Sequence, residues 1–247
     1  MSESEAQVTE LTNGIRVVSD KMESVESVSM GAWFGIGTRN ESVSVNGVAH
    51  VLEHTTLCGS KSYPVRDPFF MMLRRSLNTF MNAFTASDCT AYPFATQNRK
   101  DFNNLLSVYL DAVFFPLLDP LDFAQEGWRL DFDENDSGLV YKGVVYIEMK
   151  GAMSSPDDAF IQNINENLFL KSQYKFNSCG DPQAIPKLNY QELIEFHKKY
   201  YHPSNCWFLT YGDLDFTEHL KFIQEQVLAN YEKLDGIESQ LLMEDSG

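Results

Sequence analysis

The run His-Val-Leu-Glu-His at residues 50–54 holds the residue types and spacing with the clearest chemical meaning in the chain. On a helix, side chains three and four positions apart share a face, so His50 and His54 can reach one divalent cation. Glu53 falls beside them, where its carboxylate can hydrogen-bond a water on that cation. Such a set suits hydrolysis in which a metal polarises a carbonyl and a carboxylate handles the proton of the attacking water. The order H-x-x-E-H is the inverse of the commoner H-E-x-x-H pattern. The competing reading is a helix with two core-capping histidines and a surface glutamate, yet such groups on an apolar face need partners.

A catalytic zinc takes three protein ligands and keeps one position open. Glu148, in YKGVVYIEMKG, is the candidate for the third. A carboxylate among Val144, Val145, Ile147 and Met149 is costly without a positive partner, and a zinc ion supplies one. The alternative is a partly exposed Glu148 paired with Lys142 or Lys150. On the first reading Zn2+ is the cofactor, with His50, His54 and Glu148 as ligands and Glu53 as general base but not ligand.

Elements must position these groups. The opening reads as β, with apolar runs at Val17, Val18 and Val28 to Phe34 and the turn dipeptide Asn13-Gly14, and residues 35–47 read as a polar loop. Val48 to Leu57 is apolar-periodic and predicts a buried helix carrying the motif. Asp67-Pro68 starts another helix. Thr79 to Thr85 and Thr90 to Ala95 predict a hairpin joined by Ala86-Ser87-Asp88. Residues 99–115 carry a helical stripe of Phe102, Leu105, Leu106, Tyr109, Leu110 and Val113. Helices are predicted over Phe123 to Asp133, Tyr141 to Ser154, Ser155 to about Leu170, Tyr190 to Tyr201 and 216–231, with a strand over Trp207 to Tyr211. The expected class is α+β, a mixed and largely antiparallel sheet packed against helices, in one domain over 1–235 with a tail over 236–247.

Composition bounds the partners. A net charge of −16 repels phosphates and anionic lipids, so neither nucleic acid nor membrane is an expected partner, whereas cationic peptides are attracted. No apolar run approaches the roughly 18 residues of a membrane span. MSESEAQ has the character of neither a secretory signal nor an Arg-rich transit peptide, so no address is expected there. The cysteines at 58, 89, 179 and 206 lack CxxC spacing, which argues against a thiolate site and favours buried, unreactive side chains.

The segments NGVAHVLEHTTLCGSKSYPVRDPFF, SLNTFMNAFTASDCTAYPFATQNRKDFNNLLSVYLDAVFFP, EGWRLDF, YKGVVYIEMKGAMSSPD and GDPQAIPKLNYQELIEFHKKYYHPSN closely resemble the presequence protease group of the pitrilysin/insulinase family, from about residue 46 to 230. Residues 8–45 look more like the processing-peptidase branch. The resemblance implies zinc ligands at His50, His54 and Glu148, the general base at Glu53, and a substrate-carrying edge strand at Asn82, Ala83, Phe84 and Thr85, with Leu57, Phe70 and Phe84 as candidate pocket linings. It implies hydrolysis of short, unstructured peptides in the mitochondrial matrix, the cytoplasm being the alternative. It also implies a four-domain clamshell whose last domain supplies an Arg and a Tyr to the substrate. These residues amount to the first domain, so a complementary C-terminal half or partner subunit is expected, with homo-oligomerisation through the uncovered face. His197, His202 and Tyr211 are expected to be structural. The other function class is a non-catalytic binding module that keeps the fold.

Overall fold

The computed structural model describes residues 6–11, 14–41, 46–133, 138–213 and 215–237. Asn13 of the expected turn, residues 42–45 of the expected loop and residues 238–247 of the expected tail lie outside the described residues. Seven strands form one sheet: β1 (Gln7–Glu10), β2 (Arg16–Asp20), β3 (Val28–Phe34), β4 (Asn78–Met81), β5 (Phe84–Thr85), β6 (Thr90–Thr96) and β9 (Cys206–Tyr211). Their order is β1-β2-β9-β3-β6-β4, with β5 also against β6, and every pairing except β2 with β9 is antiparallel. This is the expected α+β class.

Period-two alternation decides which sheet face is covered. Met30, Ala32 and Phe34 of β3 and Phe208 of β9 are buried, whereas Trp33, Leu209 and Tyr211 between them keep part of their surface in solvent. Helix α1 (Val48–Thr56) and helix α3 (Arg99–Phe114) fill the covered side. Val48, Ala49, Val51 and Leu52 join the core with Phe102, Leu105, Leu106, Tyr109, Leu110 and Val113, the stripe that helical period predicts. Asn98 caps α3 by accepting a bond from the Asp101 amide. Among the described residues no helix is long and apolar enough to cross a membrane.

The predicted hairpin strand over Thr79 to Thr85 is broken. β4 ends at Met81 and β5 begins at Phe84, so Asn82 and Ala83 sit in a gap. Pro93 on the neighbouring β6 is the physical cause. Within a strand, a residue's N–H and C=O point the same way, and the Pro93 carbonyl accepts from the Asn82 amide at 3.1 Å. Its missing N–H therefore faces the same edge, and the ladder loses a donor there.

Two helix boundaries also differ from expectation. The predicted helix over Phe123 to Asp133 is instead α4 (Pro120–Glu126) followed by β7 (Arg129–Phe132), and β8 (Leu139–Lys142) takes the start of the predicted helix from Tyr141, leaving α5 as Val144–Ala152. Asp119 starts α4 early by accepting from the Leu121 amide, with Pro120 at the first helical position. β7 and β8 pair antiparallel, and Asp131 pairs with Arg129 of its own strand at 3.2 Å and with Lys142 across the hairpin at 3.6 Å. Of the four cysteines, all free, Cys58 and Cys206 are buried as expected, whereas Cys89 and Cys179 are only half-buried.

Candidate metal centre

Helix α1 supplies both imidazoles, and their ring centroids lie 4.9 Å apart. Helix α5 brings the carboxylate. Its start is fixed where Gly143, at φ +151°, crosses Gly127 at the end of α4; a Cβ on Gly143 would stand 2.1 Å from the Gly127 carbonyl oxygen. One turn further on, Glu148 Oε2 lies 3.9 Å from His50 Nε2 and 3.9 Å from His54 Nε2. Among the described residues, these three make the only group of three His, Cys, Asp or Glu side chains whose ligand atoms fall within 4.8 Å of one another.

The other nitrogen of each ring is tied. His50 Nδ1 lies 2.8 Å from the Cys179 carbonyl oxygen, which can only accept, so Nδ1 carries the proton and Nε2 presents a lone pair. His54 Nδ1 lies 3.1 Å from Glu126 Oε2, and Gln125 donates to the other Glu126 oxygen at 3.0 Å. Burial alone would lower the proton affinity of His54, but the bond to Glu126 and the charges of Glu53, Glu126 and Glu148 raise its pKa above the ordinary value. Burial alone would likewise raise the Glu126 carboxyl, and the bonds from His54 and Gln125 hold it below its usual range. Three carboxylates thus make the pocket a sink for positive charge.

This donor set fits a zinc ion. A tetrahedral ion with bonds of about 2.0–2.2 Å separates its ligand atoms by about 3.4 Å, so the observed 3.9 Å closes with a shift of a few tenths of an ångström. Glu148 can make that shift because its side chain is 54 % exposed. That exposure corrects the sequence argument for this residue. Val144 and Ile147 are themselves exposed, and Glu148 is not buried among them. Among the described residues its basic neighbours are His50 and His54, and Lys142 instead pairs with Asp131.

Glu53 is buried, and its Oε2 accepts from the Thr85 hydroxyl at 2.7 Å. A cavity of about 470 Å³ opens over the group, lined by the polar set His50, Glu53, His54, Glu126, Glu148 and Cys179 and also by Leu57, Phe70, Leu73 and Met81 to Thr85. All four residues of the expected substrate edge reach this cavity, although only Phe84 and Thr85 are in strand conformation. His197 bonds the Val113 carbonyl and His202 accepts from the Ser204 amide; neither lines the cavity, nor does Tyr211.

Sequence reasoning missed Glu126 and the Cys179 carbonyl. Neither carried a signal: Glu126 follows the mixed polar and apolar run PLDFAQ, inside a stretch read as one helix to Asp133, and a backbone carbonyl in a polar connector has no mark of its own. Partners that fix a metal-ligating ring typically account for a ten- to hundredfold share of metal affinity. Glu126→Gln is therefore expected to weaken zinc binding by about that factor while the protein stays folded, as read by competition with a chromophoric chelator. Unchanged affinity would mean that the carboxylate does not orient His54.

A family described as Insulinase (Peptidase family M16) matches residues 16–156, and one described as Peptidase M16 inactive domain matches residues 187–242. The mitochondrial presequence protease of Xenopus tropicalis is 53% identical over 205 residues, which cover 82% of this chain and 20% of that protein. Its counterpart in Schizosaccharomyces pombe is 53% identical over 195 residues, covering 78% and 20%. The chain thus spans about one fifth of the length of the curated relatives it matches. The crystal structure of a protease from Helicobacter pylori superposes with a TM-score of 0.76 at 20% identity, covering 97% of this chain and 53% of that one, a likeness of fold.

Proposed function

The chain belongs to the insulinase family of peptidases, family M16, and from that premise we propose that it is a zinc metalloendopeptidase domain for short, unstructured, cationic peptides of the presequence type. The reading extends to a mitochondrial location and to a C-terminal half that completes the activity. The observation that carries it is the convergence of two imidazole lone pairs and one carboxylate oxygen, with both rings locked from behind.

His50, His54 and Glu148 would hold the ion, which when bound supplies Lewis acidity to a scissile carbonyl and to the attacking water. Glu53 takes the proton of that water and delivers it to the leaving amine nitrogen. The Thr85 hydroxyl holds the Glu53 carboxylate in one orientation, so little reorganisation accompanies the proton transfer. A peptide laid along Asn82 to Thr85 would bond main chain to main chain, which asks little of its sequence. Leu57, Phe70 and Phe84 would receive apolar side chains from it. The net charge of −16 favours a cationic peptide.

Metal analysis tests the reading. After dialysis against excess zinc and gel filtration, the chain should retain one equivalent, and His54→Ala should retain none under the same conditions. Retention of zinc by His54→Ala, or none by the parent chain, would refute the assigned site. Zinc uptake without cleavage by the completed protein would reduce the function to that of a binding module.

A further inference from the structure

The loop before α1 reads as polar, yet much of its described part is buried: Ile36 and Thr38 are inaccessible, and Glu41 is 5% exposed. Glu41 has no role in the chemistry described above. Its Oε1 accepts from the Ala49 amide at 2.7 Å, and its Oε2 accepts from the Gly47 amide at 2.9 Å and from Asn46 Nδ2 at 2.9 Å. Two of the first orphan N–H groups of the metal-carrying helix are thus satisfied by one carboxylate six and eight residues upstream, at the end where the helix dipole favours negative charge.

Asn46 extends the contact. The same Nδ2 also donates to the Asn177 carbonyl at 3.2 Å, and Asn177 Oδ1 accepts from the Cys179 amide at 2.9 Å. Cys179 then presents its carbonyl to His50. The two segments meet without a side chain between them. Gly47 has φ +116° and Gly180 φ +103°, and a Cβ on Gly180 would lie 2.7 Å from the Gly47 Cα. Thr38 adds a bond from its hydroxyl to the Ser178 carbonyl.

We propose that Glu41 is a positioning residue for the metal centre, clamping the first turn of α1 to the 177–180 loop so that the Cys179 carbonyl and His50 stay in register. The inference rests on the zinc reading above. Stability alone does not explain the residue. Desolvation pushes its carboxyl up to about 7, against bonds from Ala49, Gly47 and Asn46 that pull the other way. An acid whose folded pKa exceeds its unfolded one weakens the fold as pH rises from about 4.5 to about 7, and that cost is fully present above 7. A neutral isostere would escape it.

Glu41→Gln is the test, because the amide keeps the volume but turns an N–H toward one of the backbone donors. Zinc affinity by chelator competition and the melting temperature of the metal-free protein are measured on the full 247-residue chain. The expected result is a metal-free melting temperature within a few degrees of the parent with zinc affinity about ten- to hundredfold weaker, the range for groups that orient a ligand. A folded variant with parental zinc affinity overturns the proposal. If Glu41→Gln does not fold, Asn46→Ala decides, since it cuts the link to Asn177 and leaves the carboxylate on the helix. Weaker zinc binding by folded Asn46→Ala sustains the proposal, whereas parental affinity or failure to fold overturns it. A parent chain that takes up no zinc sinks the metal reading itself, a different outcome from an unaffected variant.

Discussion

Glu53→Gln should keep its equivalent of zinc and lose peptide cleavage by about 10²–10⁴-fold in kcat/KM. The substitution preserves shape, and the new amide oxygen can still accept from Thr85 at the position Oε2 holds now. What disappears is the capacity to take a proton. His50, His54 and Glu148 are untouched, so metal content should be unchanged. The measurement pairs metal analysis with turnover of a quenched fluorescent cationic peptide by the chain completed with a C-terminal half. Cleavage within threefold of the parent would remove Glu53 from the mechanism. Loss of zinc together with activity would make it part of the metal cradle instead. Thr85→Val, which frees the carboxylate to rotate without removing it, should fall between the parent and Glu53→Gln.

What could be read from the sequence was whatever has a period or a fixed spacing. Phe102, Leu105, Leu106, Tyr109, Leu110 and Val113 recur at helical intervals, and the structure buries that same stripe in α3. HVLEH is legible for the same reason, because residues four apart on one helix need no tertiary information to be neighbours. Glu148 shows the limit. Its position beside both imidazoles depends on how α4, the β7–β8 hairpin and α5 fold back, and the argument from apolar neighbours assumed a burial that Val144 and Ile147 do not have. Arg129 to Phe132 alternates in a way that suits a strand, but four residues beside a helix are too few for period to decide. The Pro93 effect on Asn82 and Ala83 also lay hidden, because a missing donor acts on the neighbouring strand and not on its own. Glu126, Glu41 and the Cys179 carbonyl were illegible for a further reason. They act through hydrogen bonds that include groups 72, 8 and 129 positions away, a spacing set only by the fold.

A C-terminal half added in excess should raise the kcat/KM of the isolated chain on the same peptide by about 10²–10³-fold, the usual worth of donors that stabilise a tetrahedral intermediate. Helix α6 (Pro156–Leu168) is the reason to expect docking. It buries no residue, although Phe160, Ile164 and Leu168 recur every fourth position and are 67%, 44% and 64% exposed. A helix with an apolar stripe ordinarily sets it against something. An exposed apolar stripe of this kind marks a contact face, and the matched relatives carry about four fifths of their length beyond the shared region. The matching test uses Phe160→Asp with Ile164→Asp. Neither residue lines the cavity over His50, His54 and Glu148, so zinc content and any cleavage by the isolated chain should stay at parental levels. The response to the added half should vanish, because a docked interface cannot bury two carboxylates without partners. Full stimulation of the double variant would move the docking face elsewhere. A parent chain whose turnover is already fast and indifferent to the added half would show that the site needs no completion.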